Sequence, residues 1–260
     1  MTRGIGGPVF ADSLPAVAVA AGGLLTQLGD TWFLLLATGV LYWRARGGRA
    51  PALTATPLRD CLLLVALLVG SYAAAAALKS VFALPRPPGA GTAVLPVWLP
   101  SAVSPVYESF VTADGYGFPS GHATTATAVY GGAAAVLSAG ARRTRYVAAG
   151  SVAVLVALSR LVIGVHSPAD VAAGMVLGLA VLVALLGLAS RFGSTAWPPG
   201  RDTGRVDTRS PAPALGGAAL LAAAALALAP GLEPLLGLLG ATAGLVLCFV
   251  DGSTARSLGA

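Results

Sequence analysis

The chain has two histidines, His122 and His166, and each stands in a short polar segment that opens an apolar run. Around the second the sequence reads Ser159-Arg160-Leu161-Val162-Ile163-Gly164-Val165-His166-Ser167-Pro168-Ala169-Asp170. Ser167 suits the N-cap of a helix, Pro168 its first position, and Asp170 the acidic place of a capping box. On the plain reading Asp170 only caps. On the chemical reading its carboxylate also accepts a hydrogen bond from one nitrogen of His166, which fixes the tautomer and leaves the other nitrogen as nucleophile. One carboxylate can serve both purposes.

The first histidine ends the segment Gly117-Phe118-Pro119-Ser120-Gly121-His122. Ser120 is a good N-cap residue, and Gly121 leaves room for a close backbone approach. A helix start presents unpaired N–H groups and a positive dipole end, which favour phosphate. His122 in the first turn would point at an anion bound there and could give a proton to a leaving oxygen. A third segment, Lys79-Ser80-Val81-Phe82-Ala83-Leu84-Pro85-Arg86-Pro87, puts two cations seven residues apart where proline forces the chain out of helix. Arg offers phosphate a planar fork of donors and Lys a point charge. Taken singly, each basic residue reads as a snorkelling anchor and Ser120-Gly121-His122 as a simple helix cap. Taken together, they are the parts for phosphoryl transfer through a covalent intermediate. Lys79, Arg86, Arg160, Ser120, Gly121 and helix N–H groups form the cradle. His166 with Asp170 is the nucleophile and its orienting acid, and His122 is a second imidazole. Two histidines and few acidic residues leave no cage for a metal, so no metal and no cofactor is expected.

The elements that must hold these residues are membrane helices. Of the 260 residues, 56% are hydrophobic and only 10% charged, with a mean hydropathy of +0.82; soluble domains carry about 25% charged residues. Apolar runs long enough to span cover 58–83, 120–140, 145–164, 168–190, 212–230 and 233–250, and the shorter 30–44 ends on Tyr42 and Trp43 as an interfacial belt. Residues 13–28 read either as a short span or as an interfacial helix. The expected fold is therefore an all-α, polytopic bundle of about seven spans, with an eighth possible at the N-terminus. Its parts are N-terminal helical segments over 1–57, a core carrying the three motifs over 58–190, a polar loop over 191–211, and two further spans with a tail over 212–260. Turn residues agree with these limits: Gly47-Gly48 and Pro51, Pro85 to Pro88, Pro198-Pro199, and Pro230-Gly231. Cys61 and Cys248 lie inside apolar runs and read as small hydrophobes. The N-terminus lacks the order of a cleaved signal peptide, so no cleavage is expected.

The net charge of +6 belongs to this topology and not to nucleic-acid binding. When the spans alternate, one side receives Arg44, Arg46, Arg49, Arg59, Arg142, Arg143, Arg145, Arg191, Arg201, Arg205, Arg209 and Arg256. The other receives only Lys79, Arg86 and Arg160, while the side of Arg3 depends on whether residues 13–28 span. By the positive-inside rule the first side is the cytoplasm. The three exceptions, both histidines and Asp170 then share the outer side, and the C-terminus is cytoplasmic.

The three segments resemble the signature of the type 2 phosphatidic acid phosphatase superfamily, K-x6-R-P, P-S-G-H and S-R-x5-H-x3-D. Lys79, Arg86 and Pro87 meet the first motif, Pro119, Ser120, Gly121 and His122 the second, and Ser159, Arg160, His166 and Asp170 the third. The resemblance covers about residues 60–190. It implies a helical bundle and metal-independent hydrolysis through a phosphohistidine, with His166 as nucleophile and His122 as general acid. It also implies a substrate among lipid phosphates, polyprenyl diphosphates or sugar phosphates; the soluble haloperoxidase branch is disfavoured by the hydrophobicity. The expected protein is a multi-pass cell-membrane phosphatase acting on a membrane lipid from the extracytoplasmic side. The alternative is a phosphotransferase that passes the phosphoryl group to an acceptor other than water. A channel or transporter is disfavoured because the spans are almost purely apolar away from the motif side.

Overall fold

A computed structural model describes residues 14–47, 53–54, 56–191 and 210–257. The described residues fold into helices α1 (Ala16–Thr26), α2 (Thr31–Arg46), α3 (Pro57–Phe82), α4 (Ser104–Val111), α5 (Gly121–Val136), α6 (Arg142–Val162), α7 (Pro168–Arg191), α8 (Ala212–Leu228) and α9 (Leu232–Ser257). The only β-bridge among them is an isolated one between Pro85 and Tyr116.

The apolar helix α3 is the axis of the bundle and packs on α2, α5, α7, α8 and α9. Proline sits in its first turn, and it ends at Ala83, whose left-handed backbone lets its amide reach the Lys79 carbonyl at 2.8 Å. Leu63 and Leu67 of α3 are fully buried with Val136, Leu185 and Leu215 from α5, α7 and α8. Against lipid there is little hydrophobic drive between helices, so close packing through small residues holds them. Ala73 meets Ala222 and Ala225 where α3 crosses α8. Tyr72 of α3 also donates a hydrogen bond to Glu233 at the start of α9.

Three helices, Pro57–Phe82, Arg142–Val162 and Pro168–Ser190, are each long and apolar enough to cross a membrane. The N-terminal expectation changes here. The stretches 13–28 and 30–44 are arms of one pair, Ala16–Gly29 and Thr31–Arg46, that is long and apolar enough to cross a membrane only jointly and bends by 53° at Asp30. The expected run 120–140 is shorter as a helix, because Leu137 turns extended. Its 16 residues rise about 24 Å, less than the roughly 30 Å of hydrocarbon. Ala212–Leu228 and Glu233–Cys248 are likewise apolar but short. The segment 84–119 is not a plain loop: a 3-10 turn at Ser101–Val103 leads into α4. Arg49, Arg201, Arg205, Arg209 and the turn residues Gly48, Pro51 and Pro198-Pro199 lie outside the described residues.

Candidate active site

The C-terminal ends of α3 and α6 and the N-terminal ends of α5 and α7 meet at one end of the bundle. Lys79 and Arg160 stand in the last turns of α3 and α6, where the negative end of the helix dipole favours a cation. Ser120 and Ser167 precede α5 and α7, whose amides favour an anion. The Ser120 amide donates to the Asp170 carbonyl at 2.9 Å, tying the two helix starts together. Glycine makes the approach possible: a β-carbon at Gly174 would lie 2.5 Å from the Ser120 carbonyl oxygen, and one at Gly178 2.4 Å from that of Thr124.

The third segment folds as its sequence suggests. The Ser167 amide donates to Asp170 Oδ2 at 2.8 Å, and the Asp170 amide donates to Ser167 Oγ at 3.3 Å, which closes a reciprocal capping box. The same Oδ2 lies 3.6 Å from His166 Nδ1, an ion-pair contact longer than a hydrogen bond. The cap and the histidine thus share one carboxylate. On the other side of the ring, His166 Nε2 lies 3.0 Å from Nη1 of Arg86. A guanidinium can only donate, so Nε2 carries the lone pair and the Nδ1 proton faces Asp170. His166 is 3% exposed. Burial above all holds its protonation well below the ordinary imidazole range; Asp170 opposes this, and Arg160, Arg86 and Lys79 reinforce it.

The segment after α3 is held by its own cations. Lys79 donates to the Tyr116 carbonyl at 2.7 Å, and Arg86 donates to the carbonyls of Asp114 at 2.9 Å and Val165 at 3.1 Å. Arg86 therefore spans from the 112–117 segment to the 163–167 turn that carries His166. Arg160 is buried and donates through Nη1 to Thr26 Oγ1 at 2.7 Å, while its Nε has no protein partner.

Ser120 departs from expectation. It occupies the N-cap position of α5, yet its side chain makes no capping bond, and its Oγ is buried without a partner. A buried hydroxyl left unpaired costs about 1–3 kcal/mol, so Ser120 Oγ and Arg160 Nε are two donors suited to a bound anion. A β-carbon at Gly121 would meet nothing within 4 Å, so space is open beside the helix start.

One contact was not legible in the sequence reading. Asp30 Oδ2 lies 3.5 Å from His122 Nε2. Asp30 was counted only as the edge of an apolar run. The signal that could have found it is an ionisable residue between two apolar stretches, which inside a membrane is a functional candidate by default. Thr26, the partner of Arg160, gave no signal.

An all-helical membrane bundle that gathers three cations, two imidazoles and two helix starts at one end defines a class of anion-handling membrane proteins. The chain belongs to the PAP2 superfamily, whose model matches residues 60–193, a stretch that holds all three motifs. It is a multi-pass membrane protein. It is similar to the lipid A 1-phosphatases of Rhizobium etli and Rhizobium johnstonii, at 28% identity over 204 residues in each case. The alignments cover 74% of this chain, with 82% of the first relative and 78% of the second. Its fold is shared with the crystal structure of a transmembrane PAP2-type phosphatidylglycerolphosphate phosphatase from Bacillus subtilis. That match has a TM-score of 0.52 and 21% identity, over 72% of this chain and 84% of the other.

Proposed function

We propose that the chain is a membrane phosphatase that hydrolyses a lipid phosphate or diphosphate through a phosphohistidine on His166, from the extracytoplasmic side. The observation that carries this reading is the setting of His166. It is buried, its Nδ1 faces Asp170, and its Nε2 faces the Arg86 guanidinium. In the first step Nε2 attacks phosphorus while the bond to the leaving oxygen breaks and His122 gives that oxygen a proton. Arg86, Arg160, Lys79, Ser120 Oγ and the Gly121 amide take the charge on the phosphoryl oxygens. In the second step His122 removes a proton from water, which attacks phosphorus and releases His166.

The asymmetry of basic residues supports the outward-facing site, since the motif end of the bundle is the side poor in arginine. The relatives named for lipid A 1-phosphate and phosphatidylglycerolphosphate support a phosphate carried on a lipid headgroup. Polyprenyl diphosphates present the same anion and remain in the substrate class.

The test is a phosphate-release screen on purified protein with polyprenyl diphosphates, diacyl and glycolipid phosphates, and soluble sugar phosphates. Lipid substrates should lead, and EDTA should not abolish turnover. Quenched reactions with labelled substrate should leave phosphate on the protein that is stable to alkali, labile to acid and absent from His166→Ala. Near wild-type turnover by His166→Ala would overturn the reading.

A further inference from the structure

The break between α1 and α2 lies outside residues 60–193, the segment that the family model matches. Yet it is fastened to the motif helices at every turn. Thr125 of α5 donates to the Gly29 carbonyl at 3.0 Å, and Tyr130 donates to the Leu28 carbonyl at 2.8 Å. A β-carbon at Gly29 would lie 2.5 Å from Val156 Cγ1 and 3.3 Å from the His122 carbonyl, so only glycine admits this approach. Thr26 takes the Arg160 guanidinium. Asp30 caps α2 by accepting from the Trp32 amide at 3.4 Å, and Trp32 Nε1 is anchored on Gln27 Oε1 at 3.1 Å. The carboxylate that results lies 3.5 Å from His122 Nε2.

We propose that Asp30 is the positioning residue of His122: its carboxylate holds the Nε2 proton of the imidazole so that Nδ1 delivers and retrieves the proton of the reaction. The inference rests on the reading of His122 as proton donor. His122 is otherwise faced by cations, Arg160 from α6 and Lys79 from α3. Asp30 is the carboxylate that offsets them when the ring is an imidazolium. As the phosphorus–oxygen bond breaks, the Nδ1 proton moves to the leaving oxygen and the ring becomes neutral, keeping its Nε2 proton directed at Asp30. When water attacks the phosphohistidine, Nδ1 takes a water proton and the imidazolium returns beside the carboxylate. The site then has two parallel pairs, Asp170 with His166 and Asp30 with His122, and the N-terminal bent pair supplies the second.

The experiment compares kcat/KM of the full-length protein in detergent on a long-chain alkyl phosphate and on a dinitrophenyl phosphate. A poor leaving group needs the proton and a good one does not, whereas a merely structural loss falls on both. Asparagine also caps helices well, so Asp30→Asn keeps the start of α2. Asp30→Asn should lose about 100-fold on the alkyl phosphate, the lower range of general acid catalysis, and only a few-fold on the aryl one. Asp30→Glu should recover part of the loss. In a His122→Ala background Asp30→Asn should cost nothing more on the alkyl phosphate, because coupled residues are not additive. Equal losses on both substrates, no loss on either, or full additivity with His122→Ala would each overturn the proposal. If His166→Ala abolishes turnover and His122→Ala shows the leaving-group signature while Asp30→Asn does not, only the role of Asp30 falls. If His166→Ala remains active, the phosphatase reading falls first.

Discussion

The amide of Ser120 donates a 2.9 Å hydrogen bond to the carbonyl of Asp170, so the start of α5, which carries His122, is joined by one bond to the first turn of α7, which His166 closely precedes. The register between two imidazoles depends on how closely α5 and α7 approach, and Gly174 sets that distance. A methyl group there would press on the Ser120 carbonyl at 2.5 Å. Gly174→Ala should lower kcat at least about tenfold and cost about 1–3 kcal/mol of stability, the usual range for overpacking. Gly187→Ala, on the same helix with nothing within 4 Å, should leave both unchanged. Activity and thermal unfolding in detergent check this, and equal behaviour of the two variants would count against it.

His166→Ala removes the attacking atom and should abolish turnover and phosphoenzyme alike. His122→Ala should lose at least about 100-fold, yet keep phosphoenzyme formation on a substrate with a good leaving group. Rapid-quench trapping of labelled protein separates the two.

The protonation of His166 is displaced downward, first by burial and then by Arg160, Arg86 and Lys79, against the pull of Asp170. A lowered value means that the neutral, nucleophilic form persists on the acid side of the ordinary 6.5. In His122→Ala, His166 is the sole imidazole, so its titration can be followed by NMR of ring-labelled protein. No titration should be seen between about pH 6 and 8, a window in which an ordinary histidine changes charge. A midpoint at or above the ordinary value would show that the site does not hold the ring neutral.

The sequence of the segment 84–119, with Trp98, Tyr107 and Phe110, suits a rim on the membrane surface. The structure divides them. Trp98 is 57% exposed beside the exposed Val94, Leu95 and Val97, whereas Tyr107 is buried and Phe110 packs against the same cluster as Val19 and Ala20. The residues left to form such a rim are Val94 to Trp98 with Val106, whereas Phe110 packs within the protein. Trp98→Ser with Val97→Ser should reduce turnover of a lipid substrate severalfold more than that of a short-chain soluble analogue. An equal loss on both would remove the membrane-facing role.

Topology is checked without reference to activity. In a background with Cys61 and Cys248 replaced by alanine, Ser101→Cys should react with an impermeant maleimide in intact cells, and Ser210→Cys only after lysis. The physical cause is the cost of translocating arginine-rich loops during insertion. The reverse pattern would move the site to the cytoplasmic face and the substrate search to inner-leaflet lipids.

Much of the site was legible because its residues are local. Ser167 and Asp170 are three apart and form a capping box that spacing alone announces. Lys79 and Arg86 are joined by a proline-broken stretch that leaves one place for both. What was not legible is long-range. Nothing local in Asp30 says that it will meet His122, 92 positions later, nor in Thr26 that it will hold Arg160. Those contacts arise from the bend between α1 and α2, and hydropathy registers only two apolar stretches there. Ser120 differs in another way: its type and place are those of a cap, but its hydroxyl makes no capping bond and is buried. The short α5 was overread because its apolar composition continues past Val136 while its backbone does not.

Arg86 aims one of its nitrogens at the nitrogen of His166 that would attack, 3.0 Å away. A lone pair engaged by a guanidinium proton is withheld from neutral electrophiles. A phosphate dianion competes for that hydrogen bond, and in accepting it frees the lone pair beside its own phosphorus. On the proposed reading of His166, admission is decided by the charge of the headgroup, ahead of any reading of the hydrocarbon. A catalyst wired in this way is strict about the head and permissive about the tail, a selectivity suited to lipids that share one anion and differ in their chains.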